Sequence, residues 1–271
     1  NGHFMKILTY TARPAPSCIL TILLGLVSFI VAVPAHAQPA EFYKLYDGLL
    51  ADHTAPASAQ DISYRGVDYD AWAKDKRHDK AMKLLTGTDP ESLSSQAEKL
   101  AFWINAYNLL TIDLITKTGE RESIKNLGGI FSSPWTKHDW EIAGESYTLD
   151  HIEQDIIRPM GEPQIHFAIN CASISCPDLR GEAYRPSRLG EQLKHQVEIA
   201  FTNPEKGYRY NDQDNVATLT KVMKWFSEDF RDGDVKRWVA QIRPDDIGPE
   251  TSIAYFSYSW DLNKFVNKER P

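Results

Sequence analysis

The sequence predicts an α+β fold built on a central buried helix, with antiparallel hairpins and flanking helices around it. Three observations carry that prediction. Leu100, Ile104, Tyr107, Thr111 and Leu114 form one stripe at helical spacing. Two pairs of short apolar runs enclose turn signals, at Ala143-Gly144-Glu145 and at 212–215. Helical segments and hairpins come in separate runs rather than in strict strand–helix alternation, which argues against a doubly wound parallel sheet.

From Met5 the chain reads as an export signal. Lys6 and Arg13 supply a basic start, residues 18–33 an apolar run that includes Cys18, and Ala35-His36-Ala37 a small-x-small cleavage site. The apolar run is shorter than the roughly 20 residues of a spanning helix. Cleavage is therefore expected to leave Gln38 as the mature N-terminus of a periplasmic or secreted protein with no stable membrane insertion. Residues 1–4 precede Met5 and read as upstream translation or a cloning remnant. The expected organisation is a signal peptide over 1–37, an N-terminal helix and linker over 38–68, and one α+β domain over 69–271. Removing residues 1–37 takes away Lys6 and Arg13 but no acid, so 234 of the 271 residues remain, with 28 basic against 37 acidic and a net charge of −9. Such a surface disfavours nucleic acid as a partner.

The elements follow in order. Phe42, Leu45, Leu49 and Leu50 have helical spacing, and residues 54–61, rich in Ala, Ser and Pro, read as a loop or linker. Helices are predicted over 69–85 and 90–116, divided by Thr86-Gly87-Thr88-Asp89. A hairpin over 140–148 precedes a helix opened by Asp150, with Glu153 at the capping-box position. Ile165, Phe167 and Ile169 alternate, which predicts a strand over 163–170, although Pro163 with Ile165 and Ile169 also suits a short helix. A helix over 189–201, a hairpin over 208–219, helices over 224–230 and 235–242, and a strand over 252–258 complete the chain.

Two groups of residues are candidates for function. Asn105 and Asn108 share a face of the central helix at i and i+3. A buried unpaired amide costs about 1–3 kcal/mol, so each needs a partner. That partner is either a neighbouring loop tied to the helix or a reacting carbonyl to which the amide donates. In the second group, four residues separate His166 from Cys171 and four separate Cys171 from Cys176. Trp135, His138 and Trp140 are candidates to line an apolar groove, against the plainer reading of aromatic residues as core.

FWINAYNLLTI at 102–112, YTLDHIEQDIIR at 147–158, HFAINCASISCP at 166–177, KVMKWFSEDF at 221–230 and YSWDLN at 258–263 resemble, in this order, the signatures of domain-of-unknown-function family 547. The resemblance implies an exported bacterial protein whose biochemical role is unassigned, with a fold comparable to papain-like and transglutaminase-like thiol enzymes. The motif residues it carries over are Asn105, Asn108, Glu153, His166, Cys171 and Cys176.

Three readings of the cysteines stay open. Two cysteines left after the expected loss of residues 1–37, in an oxidising compartment and with a turn-prone Ala-Ser-Ile-Ser between them, suit a Cys171–Cys176 disulfide shaping a ligand- or peptide-binding loop. A thiol acyl-transfer enzyme would use Cys171 or Cys176 as nucleophile, His166 as base and Glu153 to orient the imidazole. In one extended strand, however, an offset of five puts His166 and Cys171 on opposite faces. A zinc site lacks a fourth ligand, so no metal is expected. The C-x4-C spacing is not that of a thioredoxin-like redox motif. With no phosphate loop, dinucleotide fingerprint or G-x-S-x-G elbow, no cofactor is expected, and the partner would be a small molecule or peptide of unidentified structure.

Overall fold

The computed structural model describes residues 37–129 and 132–265. The predicted signal segment lies outside them up to residue 36.

Helix α1 (Ala37–His53) leads into strands β1 (Thr54–Ala59) and β2 (Ile62–Val67), which form an antiparallel hairpin where a linker was expected. The Ala- and Pro-rich run lacks strand propensity. Its partner Ile62–Val67 supplies the pairing instead, turning at Gln60 and Asp61, both at positive φ. The helix predicted over 69–85 is two pieces, α2 (Tyr69–Trp72) and α3 (Arg77–Thr86), broken where Asp75 turns back to accept from the Arg77 N–H.

Helix α4 (Gln96–Thr118) is the central helix, and every residue from Leu100 to Ile115 is buried. Its start is a capping box between Ser95 and Glu98. Gly119 ends it at φ 71°, a left-handed position that glycine takes without a Cβ penalty. Being buried on all sides, α4 must pair its polar groups internally. Asp113 accepts from His78 (2.8 Å) and Trp140 (2.7 Å) and meets the Lys117 ammonium. Asn105 holds the N–H and C=O of Tyr184 at 2.9 and 2.8 Å. Asn108 donates to Ala168 O and accepts from Asn170 N–H, at 2.9 and 2.8 Å.

After a short α5 (Pro134–Lys137), the predicted hairpin forms as β3 (Asp139–Ile142) and β4 (Glu145–Thr148), turning on Ala143 and Gly144 at positive φ. Helix α6 (Leu149–His151) starts from Thr148, not Asp150, and runs on as a π-helical segment, Ile152–Ile157. The strand expected over 163–170 is instead a 3-10 turn, Pro163–Phe167, with Pro at its first position. The alternation of its apolar residues has another cause. Ile165 and Ile169 enter the core around α4, whereas Phe167 enters a second core beneath α7 (Leu189–Phe201).

That second core is covered by a three-stranded sheet in the order β5 (Tyr208–Asn211), β6 (Val216–Leu219) and β7 (Ser252–Tyr255). β7 lies parallel to β6 and ends sooner than expected. The predicted helix 224–230 divides into α8 (Val222–Trp225) and a 3-10 turn, Ser227–Asp229, and α9 is Val235–Ala240. Among the described residues no helix is long and apolar enough to cross a membrane.

Asn108→Leu adds apolar volume but orphans Ala168 O and Asn170 N–H. It should cost roughly 1–3 kcal/mol, read as a lowered melting temperature. An unchanged melting curve would show that the loop does not depend on this amide.

Candidate functional site: a thiol at the floor of an aromatic cavity

Asn108 sets the start of the site. Its hold on Ala168 and Asn170 ends the 3-10 turn and points the chain into a tight loop, where Asn170 Oδ1 accepts from Ala172 N–H and Nδ2 donates to Pro177 O. Ala172 sits at φ 60°, a strained conformation for a residue with a Cβ, held by that bond and by Asn263 N–H donating to Ala172 O. The C-terminal segment braces the loop further, through Ile174 N–H to Asp261 O and Ser259 N–H to Ser175 Oγ. From the other side the buried Lys206 ammonium donates to Ile174 O, Cys176 O and Asp178 Oδ1, at 3.1, 2.8 and 2.6 Å.

The loop brings both cysteines to one cavity of about 210 Å³. Both are free, with sulfurs 2.7 Å apart, so the disulfide expected from compartment and count is not formed. The Cys171 N–H donates to Cys176 Sγ (3.0 Å), which directs the Cys176 proton toward Cys171 Sγ. The Tyr258 hydroxyl lies 3.0 Å from Cys171 Sγ and accepts from Ser173 Oγ at 2.9 Å, so its own proton is free for the sulfur. Burial alone would raise the Cys171 pKa. Hydrogen bonds from Cys176, Ser173 and Tyr258 outweigh it and hold the thiol below its ordinary range. Cys176, buried and beside that developing charge, is pushed well above it. The two thiols thus have different characters: Cys171, half-buried, is the more readily ionised, and Cys176 keeps its proton.

His166 lines the same cavity, because a 3-10 turn and a bent loop, unlike a strand, allow it to share a wall with Cys171. Its Nε2 lies 2.7 Å from Asp229 Oδ2, and Arg158 grips the same carboxylate from Nε and Nη2. Burial lowers the imidazole to about 4, against the opposing pull of Asp229. At neutral pH the ring is therefore uncharged, with its proton on Nε2 and a lone pair on Nδ1, which is buried without a partner. The ring stacks on Phe226 at 4.3 Å. No hydrogen bond joins it to either sulfur.

Glu153 does not orient His166 as expected; Asp229 does. Nor is Glu153 a capping acid. The π-helical segment carries it inward to accept from Tyr107 Oη at 3.0 Å, on the cavity wall. Burial raises it to about 7; Tyr107 opposes the rise and the nearby Cys171 adds to it. Asn105 and Asn108 do not line this cavity, since their amides are committed to main-chain groups. Of the three candidate groove residues, only Trp135 lines it; Trp140 is bonded to Asp113 and His138 to Leu127 O. Among the described residues no cluster of His, Cys, Asp and Glu could hold a metal ion.

Sequence reasoning missed Asp229, Tyr258, Ser173 and Lys206. Asp229 and Tyr258 lie in KVMKWFSEDF and YSWDLN, so the motifs marked the segments without indicating which side chain reaches the site.

A carboxyl raised in the folded state favours the fold fully below its unfolded value of 4.5, and this contribution is lost as pH rises through 7. Glu153→Gln keeps an acceptor for Tyr107 without titrating. It should therefore gain on the wild type between pH 4.5 and 7, read as a melting-temperature difference at pH 5 and pH 8. A difference independent of pH would show that Glu153 ionises as it does in water.

No curated protein and no solved structure matches the chain. Residues 90–199 match the model of a family described as protein of unknown function, DUF547. The matched stretch contains α4, the π-helical segment, His166 and both cysteines, and stops short of Asp229 and Tyr258. Over residues 90–199, then, it is the DUF547 family of proteins of unknown function that this chain resembles.

Proposed function

We propose that the protein is an exported thiol enzyme of acyl-transfer type, acting on a small-molecule or peptide acyl compound bound in the aromatic cavity. The observation that carries this reading is the Cys171 sulfur, surrounded by hydrogen-bond donors in a cavity whose lining includes His166, the Nδ1 of which has no partner. The Cys171 sulfur attacks the acyl carbon and forms a thioester while the bond to the leaving group breaks. His166 Nδ1 accepts the thiol proton, Asp229 stabilises the resulting imidazolium, and the leaving group takes the proton up. Water or a second nucleophile then releases the acyl group. Catalytic hydrogen bonds often tighten only when substrate is bound, which fits the absence of a bond between His166 and Cys171.

A second reading is favoured by the separation of the sulfurs. At 2.7 Å they need approach by only about 0.7 Å to reach disulfide length. In an oxidising compartment the pair would then close, leaving an exported ligand- or peptide-binding domain with a Cys171–Cys176 disulfide.

Intact mass with and without reductant, followed by alkylation across pH, separates the two. The enzyme reading expects reduced protein to lose Cys171 to iodoacetamide rapidly below pH 7, with Tyr258→Phe shifting that profile to higher pH. His166→Ala should leave alkylation of the thiolate intact but abolish an acyl adduct on Cys171 from activated esters. Resistance of both thiols after full reduction would sink the enzyme reading and leave the binding domain.

Export rests on the basic, apolar and small-x-small pattern before Gln38. Mature protein should begin near Gln38 and be recovered from the periplasm or medium. Protein retained in the membrane fraction with residues 5–37 attached would overturn it.

A further inference from the structure

Four aromatic rings stand together at the cavity. Trp225 stacks on Trp260 at 5.6 Å, Tyr258 contacts both at 4.7 and 4.6 Å, and Trp135 meets Trp260 edge-on. Trp225 is 45% exposed, the one large apolar side chain so exposed among the described residues. Ring faces of this kind attract a cation through their quadrupoles. The cluster already engages one, since Lys125 Nζ lies 5.4 Å from the Trp260 centroid.

Beside the neutral Ser133 and Gln154, the ionisable side chains that line the cavity include two acids. Asp150 and Glu153 line it, and the Asp150 carboxylate forms no hydrogen bond or ion pair among the described residues. His166 is uncharged and 2% exposed, with its unpartnered nitrogen buried. The Tyr107 proton is committed to Glu153, and that of Tyr258 faces Cys171. Among the described residues no lysine or arginine lines the cavity, and the Arg158 guanidinium is paired with Asp229. The ammonium that approaches the aromatic cluster, Lys125, lies over Trp260 and is not part of the cavity lining. A ligand with a positive group bearing N–H donors would meet ring faces and a free carboxylate.

We infer that the cavity binds a ligand bearing an alkylammonium group, held between the Trp225–Trp260 faces and Asp150, next to Cys171. This deepens the thiol-enzyme reading, because it specifies the charge of the compound presented to Cys171.

The test uses reduced full-length mature protein and thiol reagents of one reactive group and different charge. Aminoethyl methanethiosulfonate is cationic, sulfonatoethyl methanethiosulfonate anionic and methyl methanethiosulfonate neutral; each transfers its thioalkyl group to the Cys171 sulfur with release of methanesulfinate. Relative to free glutathione, Cys171 should prefer the cation over the anion by about tenfold or more. High salt should reduce that preference, and so should Asp150→Asn and Trp225→Ala. Asp155→Asn removes the same charge from an exposed position outside the cavity lining and should leave the preference unchanged. Independently of the thiol, n-butylammonium should quench tryptophan fluorescence saturably in wild type and less in Asp150→Asn, while butyrate should not. Equal rates for cation and anion, with normal reaction of the neutral reagent, overturn the inference and leave the thiol reading standing. Failure of all three reagents overturns the thiol reading instead, and the quenching experiment then decides the inference alone.

Discussion

Burying α4 on every side leaves no water for its polar side chains, and the site depends on how that constraint is met at Asn108. The amide has one donor and one acceptor aimed at a single stretch of main chain, Ala168 O and Asn170 N–H. Satisfying both stops the 3-10 turn after Phe167 and starts the cysteine loop. Asn170 extends the same logic by pairing with Ala172 N–H and Pro177 O. A buried polar group would destabilise the fold if left unpaired. Here it becomes the means by which the central helix dictates the course of a loop about sixty residues further along.

The loop is held from three directions: by α4, by the C-terminal segment and by the Lys206 ammonium. Such over-determination is what allows Ala172 to keep a left-handed backbone next to Cys171. The result is a short loop whose N–H groups and hydroxyls face sulfur. Charge on Cys171 is stabilised by donors fixed before any ligand arrives, at no cost of reorganisation.

Two acids near the thiol illustrate how environment assigns roles to one functional group. Glu153, drawn inward by the π-helical segment and given a single phenol donor, is raised to about 7. Burial acts on Asp229 in the same direction, but the bonds from Arg158 and His166 outweigh it and keep the carboxylate ionised. The ionised acid therefore faces the imidazole, and the protonatable one is held by the phenol on the cavity wall.

By itself the sequence determined what depends on local pattern: the α+β class, the stripe that makes α4 central, the hairpins at Ala143-Gly144 and before β6, helix α7 and the cysteine loop as the place to look. It also showed that Asn105 and Asn108 need partners, because an amide in an apolar stripe carries that requirement wherever it lies. Only the tertiary structure decided between the two periods at Ile165, Phe167 and Ile169. Their alternation reflects two cores on either side of a 3-10 turn, and three residues cannot tell that from the two faces of a strand. It likewise decided that Asp229, 63 residues from His166, rather than Glu153, 13 residues away, reaches the imidazole. Separation along the chain says nothing about which carboxylate an inward-turned helix has already given to a tyrosine. Even the contrast between the two thiols is tertiary, since hydrogen bonds from residues 173, 176 and 258 converge on the Cys171 sulfur while Cys176 lies buried beside the charge they favour.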